Sequence, residues 1–94
     1  MEVKRTVLVH ESDNVLTAFS DFSTGEIVSV QLDTGDIEVE LLDDIAFGHK
    51  IAVRSIEVGS PIVKYGCTIG KASQEIKIGQ WVHTHNVGDD YQEN

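Results

Sequence analysis

Apolar and polar residues alternate with a period of two along much of the chain. The alternation is clearest in segments 6–10, 27–30 and 37–41. In the last of these segments, three apolar residues alternate with two glutamates, as in a strand with one buried face and one wet face. The pattern predicts short β-strands in these segments. Further strands are expected at 16–19, 50–54, 62–64 and 81–87, and a helical turn capped by Ser73 at 73–76.

One glycine motif occurs four times: an apolar residue, two positions, a glycine, two more positions and a second apolar residue. The copies span residues 22–28, 45–51, 56–62 and 76–82. Glycine adopts positive φ without steric conflict, so each copy predicts a tight turn whose flanking apolar side chains point inward. The spacing of the copies is unequal, which argues against a solenoid. We therefore expect one compact all-β domain over 1–94, with a flexible acidic tail at 88–94.

The charge of the chain narrows its range of partners. Sixteen acidic residues against seven basic ones give a net charge of -9, which repels phosphate backbones and anionic lipids. We therefore expect no nucleic-acid partner and no membrane partner. The chain has no apolar run of about 20 residues and no signal-peptide pattern, and these observations indicate a cytoplasmic protein. Its single cysteine, Cys67, is interpreted as a small buried side chain.

Two histidines near the end of the chain are the first candidates for chemistry. On a strand, His83 and His85 would project from one face with their Cα atoms about 6.6 Å apart, so that both imidazoles reach one metal ion. The segment offers no third or fourth ligand. The alternative is a polar edge strand whose histidines form ordinary hydrogen bonds.

Two further candidates lie in a turn. His49 and Lys50 would offer an anionic substrate a hydrogen-bond donor and a positive charge, although a turn residue beside a solvated lysine is an equally good interpretation. His10 is expected to face solvent. Asp43 and Asp44 are expected to point in opposite directions, because side chains alternate along a strand.

Several motifs of the second half follow one another in a characteristic order: 44–52, Gly59, 63–66, 69–72 and 82–86. Together they resemble the amino-terminal domain of the altronate and galactarate dehydratase family. That resemblance implies a small SAF-type β-clip domain, which agrees with the short strands and glycine turns. Some family members carry this domain as a separate small subunit beside a large one, as in (2R)-sulfolactate sulfo-lyase. The resemblance implies that this chain is such a small subunit, or a domain of a longer chain.

The reaction implied by the resemblance is elimination of water, or of sulfite, from a hydroxylated carboxylic acid. This lyase chemistry needs a base for the proton beside the carboxylate and an electrophile for the developing charge. The family is iron-dependent, so the resemblance implies a divalent metal such as Fe²⁺, with His83 and His85 as ligands and the other ligands from a large lyase subunit. It implies catalytic roles for His49, His83 and His85, carboxylate binding by His49 and Lys50, and a hydrogen bond from Asn86 to a substrate hydroxyl.

A function of another class remains open. The same scaffold serves as a non-catalytic SAF-type ligand-binding or interaction module, and a fold by itself does not decide between the two functions.

Overall fold

The computed structural model describes residues 3–5, 12–32 and 35–88, and these residues form eight short strands and no helix. The strands are β1 Val3–Arg5, β2 Val15–Thr17, β3 Ile27–Leu32, β4 Gly35–Glu40, β5 Lys50–Ala52, β6 Pro61–Lys64, β7 Cys67–Lys71 and β8 Trp81–Val82. They confirm the predicted small all-β fold. None of the described residues belongs to a helix long and apolar enough to cross a membrane.

The strands form three small sheets. Their orders are β1-β3-β4, β2-β5-β8 and β6-β7. Strand β1 runs parallel to β3, whereas all other pairs are antiparallel. In β4, the alternation predicted from the sequence is confirmed, because Val39 is buried between the exposed Glu38 and Glu40.

The four glycine motifs form four turns of one type, at 23–26, 46–49, 57–60 and 77–80. In each, the fourth residue donates its N–H to the carbonyl of the first over 3.0 or 3.1 Å. The glycine is third, with φ between 84° and 94°, as in a type II turn. The apolar residues that flank the turns are all buried, as predicted: Phe22, Val28, Ile45, Ile51, Ile56, Ile62, Ile76 and Val82.

The turns associate in two pairs. The first two copies meet at a β-bridge between Phe22 and Ile45, and the last two meet at a bridge between Ile56 and Ile76. Within a pair, each turn glycine donates its N–H to the chain just before the other copy. The four bonds are Gly25 to Leu41, Gly48 to Ala18, Gly59 to Ala72 and Gly79 to Ala52, at 2.8 or 2.9 Å. The two turns of each pair are thus joined by reciprocal backbone hydrogen bonds.

Each pair of turns is associated with one hairpin and with one cluster of buried side chains. The hairpin β3–β4 lies between the first two copies in the sequence, and β6–β7 lies between the last two. One cluster of buried side chains contains Phe22 and Ile45, and a second contains Ile56 and Ile76. The unequal spacing of the copies arises because a hairpin separates the members of a pair, whereas β5 alone links the two pairs.

Some sequence predictions need correction. The segment 73–76 is not a helical turn, because Ile76 pairs with Ile56 as an isolated bridge. The predicted strand 81–87 ends at Val82 and continues as a turn. Cys67 is exposed, not buried, because it follows a two-residue hairpin turn and begins β7. The predicted strand 6–10 with His10, and the end of the acidic tail from residue 89, lie outside the described residues.

Candidate functional site

The pairing of β5 with β8 brings distant histidines together. Ile51 pairs with Trp81, and Lys50 pairs with Val82. Continuing this antiparallel register by one residue places His49 opposite His83, and side chains on one face of adjacent strands contact one another. Accordingly, the rings of His49 and His83 stack with centroids 5.2 Å apart.

Trp81 fixes the orientation of His49. Its indole N–H donates to Nδ1 of His49 over 3.0 Å. Indole nitrogen only donates, so Nδ1 is the acceptor, and the proton of neutral His49 is on Nε2. His49 can therefore donate a hydrogen bond from Nε2 to a substrate oxygen.

The three described histidines surround Trp81. His83 stacks on the indole with an interplanar angle of 11° and a centroid distance of 5.2 Å. His85 lies 5.0 Å from the indole at 43°. We call His49, Trp81, His83 and His85 the imidazole cluster. It forms although His83 and His85 lie on a turn and not on the predicted strand.

Asn86 holds that turn in place. Its Oδ1 accepts the N–H of His83 over 2.9 Å, and its Nδ2 donates to the carbonyl of Trp81 over 2.8 Å. The residue is only 2% exposed. These contacts position the imidazole cluster, and the direct contact of Asn86 with a substrate hydroxyl stays a prediction.

Lys50 follows His49 in the sequence, but it is buried and does not line the pocket. It begins β5 and is buried, with 8% of its surface exposed. It is not among the described residues that line the pocket next to His49. Its predicted contact with a substrate carboxylate therefore stays a prediction.

An open pocket of about 450 Å³ adjoins the imidazole cluster. His49 and Trp81 form part of its wall, and the carboxylates of Asp21 and Asp44 form another part. The remaining lining residues are Phe22, Ser23, Ile45 and Ala46. The pocket thus lies over the bridge that joins the first pair of turns.

The two pocket carboxylates occupy equivalent places in the paired turns. Asp21 accepts the N–H of Phe47 over 2.8 Å. Asp44 accepts the N–H and the hydroxyl of Thr24 over 2.8 and 2.9 Å. The backbone N–H of Thr24 and then its hydroxyl hold the pKa of Asp44 below its ordinary value of 3.8, against a small opposing effect of desolvation.

The carboxylates of the sequence neighbours Asp43 and Asp44 do not form a shared site, as expected. Asp43 accepts the backbone N–H of Trp81 over 2.9 Å, whereas Asp44 caps a turn. The sequence reasoning missed Asp21, although a signal was present. An aspartate precedes the first apolar residue in the first two glycine motifs, whereas Ser55 and Glu75 occupy that position in the other two.

The described residues alone do not form a metal site. None of them join in a group of three or more histidine, cysteine, aspartate or glutamate side chains able to hold an ion. His83 and His85 are the predicted ligands, and both rings lie against Trp81. A metal bound there would need most of its ligands from another chain or domain.

Comparison with known proteins identifies related sequences. Residues 4–90 match the family model described as altronate/galactarate dehydratase SAF domain. The altronate dehydratase of Bacillus subtilis is 45% identical over 85 residues, which are 90% of this chain and 16% of that protein. The altronate dehydratase of Escherichia coli is 41% identical over 81 residues, which are 86% of this chain and 16% of that protein.

A shorter relative matches over nearly its whole length. The (2R)-sulfolactate sulfo-lyase subunit alpha of Chromohalobacter salexigens is 30% identical over 84 residues, which are 85% of this chain and 89% of that subunit. The chain therefore spans a small part of the dehydratases and most of the sulfo-lyase subunit.

Proposed function

The chain belongs to the altronate/galactarate dehydratase SAF domain family, and from this membership we propose that it is the small part of a lyase. The proposed reaction eliminates water or sulfite from a hydroxylated carboxylic acid. The observation that carries the proposal is the imidazole cluster beside an open pocket. A large lyase subunit or domain would complete the site.

The imidazole cluster supplies groups that an elimination reaction needs. His49 would donate from Nε2 to a substrate oxygen, because its Nδ1 is occupied by Trp81. Each of His83 and His85 would serve either as an acid–base group near the reacting carbons or as a metal ligand, because an imidazole nitrogen that binds a metal cannot also accept a proton. We further propose a divalent metal, Fe²⁺, held mainly by the partner with His83 or His85 as a contributor, which would stabilise the negative charge of the intermediate.

Exposed apolar residues around the pocket support the need for a partner. Phe19 is 48% exposed and Phe47 67%. The Phe19 ring contacts Phe22 of the pocket wall, and the Phe47 N–H bonds to Asp21. We call Phe19 and Phe47 the apolar rim. Apolar surface beside a half-open site is typical of a protein interface.

Reconstitution of the lyase tests this proposal. The chain should co-purify from its native host with a much larger chain, and the complex should dehydrate altronate or galactarate or desulfonate sulfolactate, whereas the chain alone should be inactive. His83→Ala should lower the rate by orders of magnitude, and Glu38→Gln on the exposed face of β4 should not. An unchanged rate in His83→Ala would remove this residue from the site.

Assembly and activity together separate the two classes of function. If the chain purifies without a larger chain and adds no activity to a large lyase subunit, the non-catalytic binding module becomes the better description. Loss of co-purification in Phe47→Ser, with an unchanged fold, would connect the apolar rim to assembly.

A further inference from the structure

We propose that the tip of the β6–β7 hairpin is a second contact between this chain and the large part of the lyase, and that it docks on an acidic surface there with Tyr65 as its anchor. The inference rests on the proposed lyase function, because it names the surface chemistry of that partner. Three features of the hairpin carry it. They are an exposed tyrosine on an unfavourable backbone, a buried carboxylate that holds the tip, and a local excess of positive charge.

Tyr65 stands where a tight hairpin loop normally has glycine or asparagine. Tyr65 and Gly66 form the two-residue loop between β6 and β7, and both have positive φ, 54° and 74°, as in a type I′ turn. Tyr65 is the only non-glycine residue with positive φ in the described part of the chain, and this conformation is costly for a side chain. The residue is nevertheless 76% exposed, so packing within the described residues offsets little of the cost. Strained residues of this kind cluster at functional sites.

The tip is held rigidly by the residues that precede β2. Asp13 is 3% exposed, and its two carboxylate oxygens accept the N–H of Tyr65 over 3.0 Å and the N–H of Gly66 over 2.8 Å. Asn14 exchanges two hydrogen bonds with Val63 on the outer edge of β6, at 2.8 and 3.1 Å. The tyrosine is therefore held in a fixed position before a partner arrives, and such preorganisation lowers the entropic cost of binding.

The hairpin is basic, although the chain as a whole is acidic. Residues 58–74 contain Lys64 and Lys71 and no aspartate or glutamate, whereas the net charge of the chain is -9. The Nζ of Lys64 lies 5.1 Å from the centroid of the Tyr65 ring, so the aromatic face has a positive charge beside it. The hairpin of the first turn pair, residues 27–40, has no basic residue and four acidic ones, Asp33, Asp36, Glu38 and Glu40. An acidic partner surface is thus attracted by one hairpin and repelled by the other, which fixes the orientation of docking.

The tip is separate from the imidazole cluster. Asn14, which binds β6, directly precedes β2, whereas Ala18 directly follows β2 and donates its N–H to the carbonyl of His49 over 2.7 Å. Because a three-residue strand spans about 10 Å, a partner that covers the pocket has to extend along β2 to reach Tyr65. The apolar rim and the hairpin tip are therefore two contacts with one partner, and tyrosine is among the residues that contribute most to such interfaces.

Cys67 provides a direct test of the docking site. It is the only cysteine of the chain, it is exposed, and it pairs with Lys64 next to the loop. We would treat the 94-residue chain with a short pulse of iodoacetamide, alone and in complex with the large lyase part, and read the alkylation of Cys67 by mass spectrometry. Alkylation should be about tenfold slower in the complex, because contacts around an anchor exclude solvent. The control chain, Cys67→Ser/Glu38→Cys, carries its thiol on the exposed face of β4 and should react equally fast in both states.

Variants at the tip separate binding from folding. Tyr65→Asn removes the ring and supplies a residue that tolerates positive φ, so thermal unfolding should show no loss of stability. Its dissociation constant for the large lyase part should nevertheless rise about tenfold, because the anchor is lost. Tyr65→Phe keeps the ring and should bind as the unchanged chain does. Lys64→Gln/Lys71→Gln should weaken binding at low salt and reduce its dependence on added salt, since these charges attract the partner.

Three results would overturn the inference: equal alkylation of Cys67 in the free chain and the complex, equal dissociation constants for Tyr65→Asn and Tyr65→Phe, or an unchanged salt dependence in the lysine variant. Protection of Cys67 in a concentrated solution of the chain alone would also overturn it, because the tip would then bind a second copy. The alkylation of Cys67 uses the unmodified chain, so it stays decisive if a variant is unstable.

The same experiments distinguish failure of the docking site from failure of the lyase proposal. An active complex in which Cys67 stays reactive refutes the docking site and leaves the lyase proposal intact. A complex that protects Cys67 but eliminates neither water nor sulfite refutes the lyase proposal and leaves the docking site. If no large chain associates with this one, both proposals are wrong.

Discussion

Trp81 donates its indole hydrogen to Nδ1 of His49 across the edge of β5 and β8, at 3.0 Å. This bond selects one tautomer of neutral His49, with its proton on Nε2. Trp81→Phe keeps an aromatic ring but removes the donor, so the neutral ring of His49 should become a mixture of both tautomers. Nitrogen-15 NMR of the imidazoles measures this directly. His85, which the indole N–H does not contact, is the internal reference, and an unchanged His49 spectrum would contradict the role given to Trp81.

Asn86 should contribute strongly to stability. Asn86→Ala leaves the His83 N–H and the Trp81 carbonyl without their side-chain partners, at a cost of about 1–3 kcal/mol in unfolding free energy. Chemical denaturation measures the loss. The control is Gln74→Ala, whose exposed side chain makes only a long 3.4 Å contact with the carbonyl of His85. Equal midpoints for the two variants would show that Asn86 does not hold the turn.

Gly79 and Gly59 should differ in their tolerance of alanine. Both have positive φ, so Gly59→Ala should cost about 1–2 kcal/mol from backbone strain alone. A Cβ at Gly59 meets no atom within 4 Å, whereas one at Gly79 would overlap the carbonyl oxygen of Glu40. Gly79→Ala should therefore have a clearly lower melting temperature than Gly59→Ala. Equal melting temperatures would mean that the Glu40 carbonyl moves away from this turn at little cost.

Thr17 offers a route to a more stable chain. Its buried hydroxyl has no hydrogen-bond partner among the described residues. Thr17→Val replaces that hydroxyl with a methyl group of similar size and should raise the unfolding free energy by about 1 kcal/mol, because an unsatisfied polar atom is removed. The same substitution at the exposed Thr68 should change little. A destabilised Thr17→Val would reveal a partner for the hydroxyl.

The turn that contains Thr24 should influence acid stability. The pKa of folded Asp44 is below 3.8, so its contribution is complete above that pH and is lost as the pH falls through the lower, folded value. Thr24→Val removes the hydroxyl donor and keeps the larger backbone contribution. The pKa should rise part of the way toward 3.8, which carbon-13 NMR of the carboxyl group measures. An unchanged pKa would assign the whole shift to the backbone N–H.

The repeated turns could be predicted from sequence because their cause is local. A glycine flanked at fixed spacing by apolar residues specifies both the positive φ and the two inward side chains, and all four copies behave in this way. The pairing of the copies could not be predicted, since it depends on bonds such as Gly48 to Ala18 between separate segments. The positions at which strands end were also predicted incorrectly. The strand with Trp81 stops at Val82 because Asn86 closes a turn directly after it.

The residues of the candidate site could be predicted from the sequence, but their arrangement in space could not. The histidines were identifiable as residue types, and the comparison of motifs indicated the family. Their geometry depends on the register of β5 against β8, which places His49 opposite His83 and could not be obtained from either segment alone. Asp21 was overlooked because its carboxylate becomes part of the pocket only when the first two turns meet at Phe22 and Ile45.

The reciprocal closure of each turn pair holds the bases of both hairpins. The bonds between Gly25 and Leu41, and between Gly59 and Ala72, fasten the two legs of each hairpin at its base. The tip of β6–β7 is held as well, because the buried Asp13 accepts the N–H groups of Tyr65 and Gly66 over 3.0 and 2.8 Å. A protein engineer who wishes to graft an epitope or a tether onto this domain should therefore leave that tip unchanged, since a new loop there would remove the partners of a buried carboxylate.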